Sequence, residues 1–336
     1  NVMDITDCSG VTISGFTIKG AQSNYGIHME NVSGCSLVDS VITEVKWTGI
    51  YLQSATDNDF NSVTISGMSS YGVCLRDGSK GNSFTSTTVS DMEGGFPSAF
   101  QMSNSDGNTF ESTTISNLTA THQPFGFYLI QSNDNSFINA DISNLIGNSP
   151  PFGIILQCEN NNNTFTSINI SHLVGKRKAG GIFLFLGNSD NSFESIEISD
   201  VTATNNDAYG VGIMICKCSS TRNNFHAITI SDITGGSETG GARGIYLADP
   251  ETKDNSFSEY DISGLAGANA DGISIKRGAS SNSFYHGSIT EAKNGVHVLG
   301  DETYGDALSN SIHFTNIFGN AECGVKNGNE SAIVDA

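Results

Sequence analysis

The sequence is poor in charge and in proline, and it has no long apolar run. Charged residues make up 15% of its 336 residues, and five prolines stand beside 38 glycines. No run of about 18 apolar residues occurs, so no segment is expected to span a membrane. No stretch keeps the i, i+3, i+4 spacing of a long amphipathic helix. These absences favour a turn-rich, all-β chain whose surface is mainly Ser, Thr and Asn.

Positive charge is especially scarce. Fifteen Lys and Arg stand against 35 Asp and Glu, which gives a formal net charge of −20. Such a surface repels nucleic acid and anionic membranes, so neither is expected as a partner. The uncharged, hydroxyl-rich composition suits an extracellular or cell-surface protein.

The cysteines do not form a metal-binding pattern. Their number, seven, is odd, so at least one thiol has no partner within the chain. Cys216 and Cys218 are too close together for a zinc site and lack a second pair or a nearby His. Buried thiols or disulfides are expected instead, and no metal-ligating residue is predicted.

A phrase of the type Asn-x-Phe recurs along most of the chain. Its intervals of 23 to 32 residues are typical of a solenoid. The pairs are Asn58 and Phe60, Asn82 and Phe84, Asn108 and Phe110, Asn135 and Phe137, Asn163 and Phe165, Asn191 and Phe193, Asn223 and Phe225, Asn255 and Phe257, and Asn282 and Phe284.

Each repeat contains two further apolar phrases. An Ile or Val follows five residues after the Phe, and a second strand opens with Gly, as in Gly-Ile-Tyr-Leu at 244–247. Alternation of period two predicts strands, and repetition every coil stacks like residues on like. We therefore predict an all-β, single-domain parallel β-helix of about 12 coils, in which Asn closes a turn and Phe fills the interior.

The repeat continues without a linker, so residues 1–336 are expected to form one domain. Because the chain opens in the middle of a repeat at Asn1, we expect it to be a piece of a longer secreted or surface protein.

The repeat varies most in the segments that precede the Gly-Ile strand. These segments are long at 117–125, 172–178, 200–209 and 232–243, and they would form a wall beside that sheet. Lys176 and Arg177 lie in one of them and are candidate substrate-binding residues. The alternative is that turn length drifts without consequence and that these cations are a solvated tip.

The outward positions of the Gly-Ile strands are polar at both ends of the chain and apolar in the middle. Tyr128, Phe183 and Phe185 occupy such positions, and the strand at 181–186 is apolar on both faces. A strand of that type is normally covered on both sides. The cover could be the long loops, a second copy of the chain, or a sugar stacked on the aromatic rings.

Charged and polar side chains converge in the later coils. In-register stacking puts Arg243 beside Asp271 and Asp249 beside Arg277. The residues that this stacking brings to one surface are Arg243, Tyr246, Asp249, Asp271, Ser274, Lys276, Arg277, His297, Asp301 and Glu302. They include the groups needed for general acid–base chemistry. The alternative interpretation is a pair of interstrand ion pairs.

With these repeats the chain resembles the pectate-lyase-like right-handed β-helices, particularly those with carbohydrate-binding and sugar-hydrolase repeats. The resemblance implies the right hand of the helix, and a long polysaccharide lying across one sheet and cut by a lyase or a hydrolase. Polygalacturonases resemble it only at Asp271-Gly-Ile273 and loosely at Ser274-Ile-Lys276, and their paired Asp and Gly-His-Gly phrase are missing. Lyase relatives use a Lys base, a nearby Arg and a calcium ion, so calcium is a possible cofactor here.

Two functions remain open at this stage. One is an enzyme on an acidic or amino-sugar polysaccharide, with Lys276 as base, Arg243 or Arg277 binding the sugar carboxylate, and Tyr246 or His297 as proton donor. If the reaction is hydrolysis, a pair among Asp249, Asp271, Asp301 and Glu302 would serve. The other is a structural or adhesive surface rod that self-associates through its apolar outer stripe.

Overall fold

The chain folds as a solenoid in which each sequence repeat forms one coil. The computed structural model describes residues 1–20, 24–217, 219–300 and 303–328. Within these residues there are 33 β-strands, numbered β1 to β33 in chain order, and no helix. The strands form two sheets in which every pairing is parallel, and this confirms the predicted single-domain, all-β parallel β-helix of about 12 coils.

The first sheet takes one strand from each coil, and these are the Gly-Ile strands of the sequence. In the described residues it has 13 strands: β1 (Met3–Thr6), β4 (Tyr25–Glu30), β7 (Thr48–Gln53), β10 (Tyr71–Arg76), β13 (Ser98–Ser103), β16 (Phe125–Ile130), β18 (Phe152–Gln157), β20 (Lys178–Phe185), β22 (Tyr209–Cys216), β24 (Gly241–Ala248), β27 (Asp271–Lys276), β30 (Asn294–Leu299) and β33 (Cys323–Asn327).

The second sheet contains the Phe and Ile phrases, which are separate short strands at both ends and fuse into long ones in the middle. Its 20 strands in the described residues are β2 (Thr12–Ser14), β3 (Thr17–Lys19), β5 (Ser36–Val38), β6 (Val41–Thr43), β8 (Asp59–Asn61), β9 (Thr64–Ser66), β11 (Ser83–Thr85), β12 (Thr88–Gly94), β14 (Thr109–Glu111), β15 (Thr114–Ala120), β17 (Ser136–Gly147), β19 (Thr164–Gly175), β21 (Ser192–Ala203), β23 (Asn224–Thr234), β25 (Ser256–Ile262), β26 (Leu265–Ala266), β28 (Ser283–Tyr285), β29 (Ser288–Ile289), β31 (Ser311–His313) and β32 (Asn316–Ile317).

The Phe residues of successive coils stack directly on one another. Phe137, Phe165 and Phe193 are paired in register, and their ring centroids are 4.5 and 4.7 Å apart with the planes nearly parallel. From Phe60 to Phe284 the column is fully buried. Since each ring removes a large apolar surface from water, this column is the main source of core stability. The in-register stacking assumed from the sequence is therefore confirmed.

The Asn column beside it is a buried amide ladder. Each side-chain Nδ2 donates to the Oδ1 of the Asn one coil later, at 2.9–3.1 Å, from Asn58 to Asn310. Each Oδ1 also accepts the backbone N–H of the preceding Asn, as Asn163 does from Asn135 at 3.0 Å. The ladder satisfies polar groups that the turn would otherwise bury without partners. The predicted structural role of this Asn column is confirmed.

The glycine that opens each strand of the first sheet is needed for close packing. A Cβ on Gly244 would lie 2.6 Å from the Ile262 side chain and 2.6 Å from the carbonyl oxygen of Gly272. The Ile column of the second sheet therefore packs against bare backbone, and any larger residue at Gly244 would force the sheets apart.

The long segments between the second sheet and the first are more regular than expected. Their first residues extend the second sheet, as in the ladder Ile146, Val174 and Thr202. Only residues 121–124, 148–151, 176–177, 204–208 and 235–240 connect the strands there. The prediction of free loops over the whole of 117–125, 172–178, 200–209 and 232–243 is therefore wrong, because neighbouring coils lengthened together and kept pairing.

Candidate functional site

The outer face of the first sheet brings the predicted polar residues together in the later coils. Arg243 is paired with Asp271, and Asp271 with Asn294, one column along. In the next outward column, Tyr246 is paired with Ser274, and Ser274 with His297. Strands β24, β27 and β30 thus hold the residues side by side, although 54 positions separate the first from the last (297 − 243).

Asp271 and His297 form a buried carboxylate–imidazole pair. His297 Nδ1 lies 3.0 Å from Asp271 Oδ2, and Asn294 Nδ2 donates to Asp271 Oδ1 at 2.8 Å. Burial by itself would raise the pKa of Asp271, but the hydrogen bonds from His297 and Asn294 outweigh it and the pKa is lowered. Because an ionised carboxylate can only accept, Nδ1 of His297 carries the proton and donates it to Asp271.

Several buried polar atoms around this pair have no partner. Seven such side-chain atoms occur in the described residues, and four of them are Arg243 Nε, Ser274 Oγ, Asn294 Oδ1 and His297 Nε2. A buried polar atom without a hydrogen bond costs about 1–3 kcal/mol. A concentration of four on three adjacent strands is typical of a site whose hydrogen bonds are completed by a ligand.

Arg243 is held by aromatic rings rather than by a carboxylate. Its guanidinium carbon lies 4.4 Å from the ring centroids of both Tyr209 and Tyr246. Within the described residues Asp271 is bonded to His297 and Asn294 instead, so the predicted Arg243–Asp271 ion pair is not formed. The stacking fixes the guanidinium plane and leaves its charge available to an anion.

Lys276 is a cation in a position that disfavours its charge. Burial and the nearby positive charge of Arg243 and Arg277 lower the pKa of Lys276 to about 8. In the described part of the chain its amino group makes no hydrogen bond or ion pair. At mildly alkaline pH a large fraction of such a lysine is uncharged, and an uncharged amino group can serve as a general base.

Tyr246 has the opposite tendency. Burial raises the pKa of its phenol above the usual value, although Arg243 and Arg277 oppose this effect. Its hydroxyl therefore stays protonated over the physiological pH range and can donate a proton.

Basic side chains collect around a pocket of about 310 Å³ on this face. Lys178, Arg243, Lys276 and Arg277 line it together with Tyr209, Tyr246 and Met214. Lys217 lies beside it over the Phe185 ring, and Lys326 is paired with His297 on the next strand. These six cations are a large share of the 15 Lys and Arg in the sequence. We call this surface the basic cluster.

Asp249 lies at the edge of the basic cluster. Asp249 has a positive φ of 81° and accepts the backbone N–H of Lys217 at 2.7 Å, so it stabilises a corner of the coil. Within the described residues it forms no ion pair with Arg277, whose guanidinium lies 5.7 Å from the Tyr304 ring. Asp301 and Glu302 lie outside the described residues.

Lys176 and Arg177 are not part of the basic cluster. Both are exposed at the turn between β19 and β20. Lys176 lines a different depression, together with Thr119 and Ile146. Their substrate-binding role stays a prediction; the neighbouring Lys178 is the residue of this turn that lines the pocket beside Arg243.

The predicted aromatic residues form a second group in the middle coils. Tyr128, Phe183 and Phe185 line a groove of about 370 Å³ with Phe125 and Phe152. The Phe183 ring contacts Phe152 and Phe185, with centroids 5.0 and 5.4 Å away. Tyr128 donates a hydrogen bond to Gln157 Oε1 at 2.6 Å. We call this surface the aromatic stripe; its predicted role in self-association or sugar binding stays a prediction.

Sequence reasoning missed five site residues, which are Lys178, Tyr209, Lys217, Asn294 and Lys326. Asn294 precedes the Gly of its strand, as Arg243 and Asp271 do. Aligning the strands on that Gly would therefore have predicted that Asn294 lies beside Asp271. Lys178 and Tyr209 belong to strand extensions that were expected to be loop, and their place on the sheet was therefore not foreseen.

The described residues contain no grouped metal ligands and no disulfide. In residues 1–20, 24–217, 219–300 and 303–328 no three His, Cys, Asp or Glu are grouped so as to hold a metal ion. The predicted calcium requirement stays a prediction. The six cysteines in the same residues are free thiols, and Cys218 lies outside them.

Comparisons with known proteins agree with this architecture. The family model described as a right handed beta helix region matches residues 3–144. A variant of the catalytic domain of a GH87 alpha-1,3-glucanase in complex with tetrasaccharides has a TM-score of 0.54 and 14% identity, over 99% of this chain and 64% of that one. Another variant of this domain, in complex with nigerose, has a TM-score of 0.58 and 16% identity, over 97% of this chain and 63% of that one.

The A-module of the Azotobacter vinelandii mannuronan C-5 epimerase AlgE6 is also similar. Its TM-score is 0.52 at 11% identity, with 91% of each chain covered. The chain spans less than two thirds of the glucanase domains, and no curated protein matches it. The molecule is a right-handed parallel β-helix, as the resemblance implied. In the described residues no helix is long and apolar enough to cross a membrane.

Proposed function

We propose that this β-helix is an enzyme that cleaves an acidic polysaccharide by abstracting a proton next to the sugar carboxylate. The observation that carries the proposal is the group of unpartnered buried polar atoms beside Lys276, whose pKa is lowered to about 8. Perturbed titratable residues next to unsatisfied polar groups are a signature of active sites.

The charge of the basic cluster favours an acidic substrate. The chain as a whole carries a formal charge of −20, yet this one surface gathers six cations, of which Lys178, Arg243, Lys276 and Arg277 line a single pocket. Such a concentration would attract a polyanion locally although the rest of the surface repels it. A uronic acid polymer offers one carboxylate per sugar, and Arg243 can bind that carboxylate through two parallel N–H groups.

The reaction that these residues support is β-elimination. Arg243 binds the C6 carboxylate and stabilises the charge that develops on it, while neutral Lys276 takes the C5 proton. The electron pair of the broken C5–H bond forms a C4–C5 double bond, and the C4–O bond breaks. Tyr246, which its raised pKa keeps protonated, gives its proton to the leaving oxygen. His297, oriented by Asp271 with its proton on Nδ1, accepts a hydrogen bond from a sugar hydroxyl through Nε2.

Hydrolysis is a less suitable reaction for the described residues. Asp271 is committed to His297 and Asn294, and Asp249 to the Lys217 backbone. Neither is a free carboxylate that could act in a pair. The names of the similar structures, a glucanase and a mannuronan epimerase, lend support only to a polysaccharide as the substrate class.

A second candidate function rests on the aromatic stripe. Phe183 and Phe185 are half-buried in a single chain, and a second copy of the stripe would cover them. The chain would then be a self-associating surface rod. Sedimentation of the purified chain as a monomer at high concentration would exclude this function.

The experiment that tests the enzymatic proposal is an assay for unsaturated products. Polygalacturonate, alginate and a glycosaminoglycan are each incubated with the wild-type chain and with Lys276→Ala, Arg243→Ala and Arg222→Ala. One substrate should yield unsaturated ends, and Lys276→Ala should reduce the rate by about 10²–10⁴-fold. Arg222 is ion-paired with Asp190 outside the basic cluster, and its variant should keep the wild-type rate. Equal rates for wild type and Lys276→Ala would refute the assignment.

A further inference from the structure

A third group of side chains on the outer face of the first sheet has been assigned no role so far. It lies at the opposite end from the basic cluster, on strands β4, β7 and β10 and the turn before β7. Tyr25, Trp47, Tyr51, Tyr71 and Arg76 surround a pocket of about 290 Å³, with Asn24 and Thr48 at its margin. We call it the Trp47 pocket.

Aromatic rings in this pocket are stacked and partly open to solvent. The Tyr25 and Tyr51 centroids are 4.5 Å apart with 22° between the planes, and His28 stacks on Tyr25 at 5.3 Å. Trp47 stands beside them with 51% of its surface exposed. An open Trp next to stacked Tyr rings offers a flat apolar surface bordered by hydroxyl groups, which suits the face and edge of a sugar ring.

Arg76 supplies a positive charge to the lining of the pocket. Its side chain is partly buried, and its Nε donates to Cys74 Sγ at 3.4 Å. Among the described residues it forms no ion pair with a carboxylate. In a chain with more than twice as many acidic as basic residues, an arginine that has no carboxylate partner among the described residues and lines a pocket with Tyr51 and Tyr71 can bind an external anion.

We propose that the Trp47 pocket is a distal binding site for an acidic oligosaccharide. Trp47 and Tyr51 stack on a sugar ring, and Arg76 binds the carboxylate of that sugar or of its neighbour. The acidic character of the ligand rests on the function proposed above; the stacking and the charge are properties of the pocket itself.

The position of the pocket relates it to the basic cluster. Both lie on one sheet face, and the strand order places β7 and β27 eight steps apart. At about 4.8 Å per step, they are separated by roughly 38 Å along the rod axis. The aromatic stripe lies between them on the same face. A long polysaccharide can therefore be held in the Trp47 pocket while it is cut in the basic cluster, whereas a short one reaches only one site.

Trp47 itself reports on this site because it is the only tryptophan in the sequence. Its fluorescence is titrated with oligogalacturonate and with oligomannuronate, and with neutral malto-oligosaccharides for comparison. Lys276→Ala is used as the parent chain so that no ligand is cleaved. An acidic ligand should produce a saturable change in emission, and Arg76→Gln should weaken the binding at least tenfold. Arg222→Gln removes a cation that lies outside both sites, and this control variant should bind the ligand as tightly as the parent does.

Calorimetric titration of Trp47→Ala is the second measurement, since it does not depend on the tryptophan. Because the basic cluster also binds acidic sugars, the parent should show two binding events and Trp47→Ala only one, while its melting temperature stays close to that of the parent. The proposal is overturned if emission does not change with acidic ligands, if neutral ligands bind equally well, or if Arg76→Gln binds unchanged. A wild-type chain that cleaves the polymer without a change in Trp47 emission would refute the distal site and leave the proposed function intact. Binding of the acidic ligand at Trp47 by a wild-type chain that cleaves no polymer would support the distal site and refute the proposed function.

Discussion

The inner columns of this β-helix and the outer face of its first sheet are built on opposite principles. Inside, Phe follows Phe and Asn follows Asn in nearly every coil, with ring spacings of 4.5–5.0 Å. Outside, the column that runs through Tyr51, Cys74, Gln101 and Tyr128 changes its residue type at every step. Repetition is required where a coil must pack on the next coil. Side chains on the outer face do not fill the core, so they are free to vary even where neighbours cover them, as at Cys74 and Gln101. Function is therefore to be sought on this face.

Variation on the outer face is itself ordered along the rod. The early coils carry stacked Tyr rings and Trp47, the middle coils carry the aromatic stripe, and the late coils carry the basic cluster. Of the seven unpartnered buried polar atoms in the described part of the chain, four lie in the late coils of this face. The comparison therefore predicts that inner substitutions change stability and that outer substitutions change binding or rate.

The largest effect on stability is expected from the Phe column. Phe193→Ala removes a fully buried ring that stacks on Phe165 and Phe225, and it should lower the free energy of unfolding by about 3–5 kcal/mol. Phe185→Ala removes the same side chain from the outer face and should cost about 1 kcal/mol, since the ring is only half-buried. Urea unfolding followed by circular dichroism measures both. Equal costs would contradict the distinction between the two faces.

A smaller loss is expected from the amide ladder. Asn163→Ala leaves the Asn135 side chain and the Ser132 carbonyl without their partner, and it should cost about 2–3 kcal/mol. Asn169→Ala, six residues later in strand β19 of the same coil, removes a single bond to Asp141 and should cost less than about 0.5 kcal/mol. Thermal unfolding of the two variants tests this, and a similar loss for both would show that the ladder adds no stability of its own.

The rate of the proposed reaction should depend on pH through Lys276. The base must be neutral, so its active fraction falls about tenfold for each pH unit below its pKa of about 8. Activity should therefore rise with pH up to about 8 and then level off. Arg243→Gln removes a positive neighbour and should move this rise to higher pH, because Lys276 then keeps its proton more easily. Initial rates between pH 5 and 10 measure both profiles. A flat wild-type profile would exclude Lys276 as the base.

The smallest predicted effect concerns the corners of the coil. Ala227 has a φ of 54°, a conformation that costs an L-residue about 1 kcal/mol and glycine almost nothing. Ala227→Gly should therefore stabilise the chain slightly or leave it unchanged, since the greater freedom of glycine in the unfolded chain offsets part of the gain. Ala140→Gly, at a buried strand position without positive φ, should instead destabilise it. Melting temperatures of the two variants should move apart in this order.

Part of the candidate site could be predicted from register alone. Arg243 beside Asp271, and Tyr246, Ser274 and His297 in one column, follow from aligning the Gly of each strand. The partners of these side chains could not be predicted, because register fixes which Cβ atoms are neighbours and not which rotamers the side chains adopt. Arg243 stacks between two Tyr rings and Asp271 turns to His297, where simple charge pairing had suggested an ion pair.

The repeat in the sequence is sufficient to specify the coil, because a chain that repeats the same inward residues can bury them only by stacking each repeat on the last. It also determined which residues share the outer face, since period two leaves no other choice for them. The folded chain was needed to show which buried polar atoms lack partners, that Lys276 is largely buried, and that Trp47 lines a pocket with Arg76. Those properties depend on the side chains of three or more coils at once, and no single repeat specifies them.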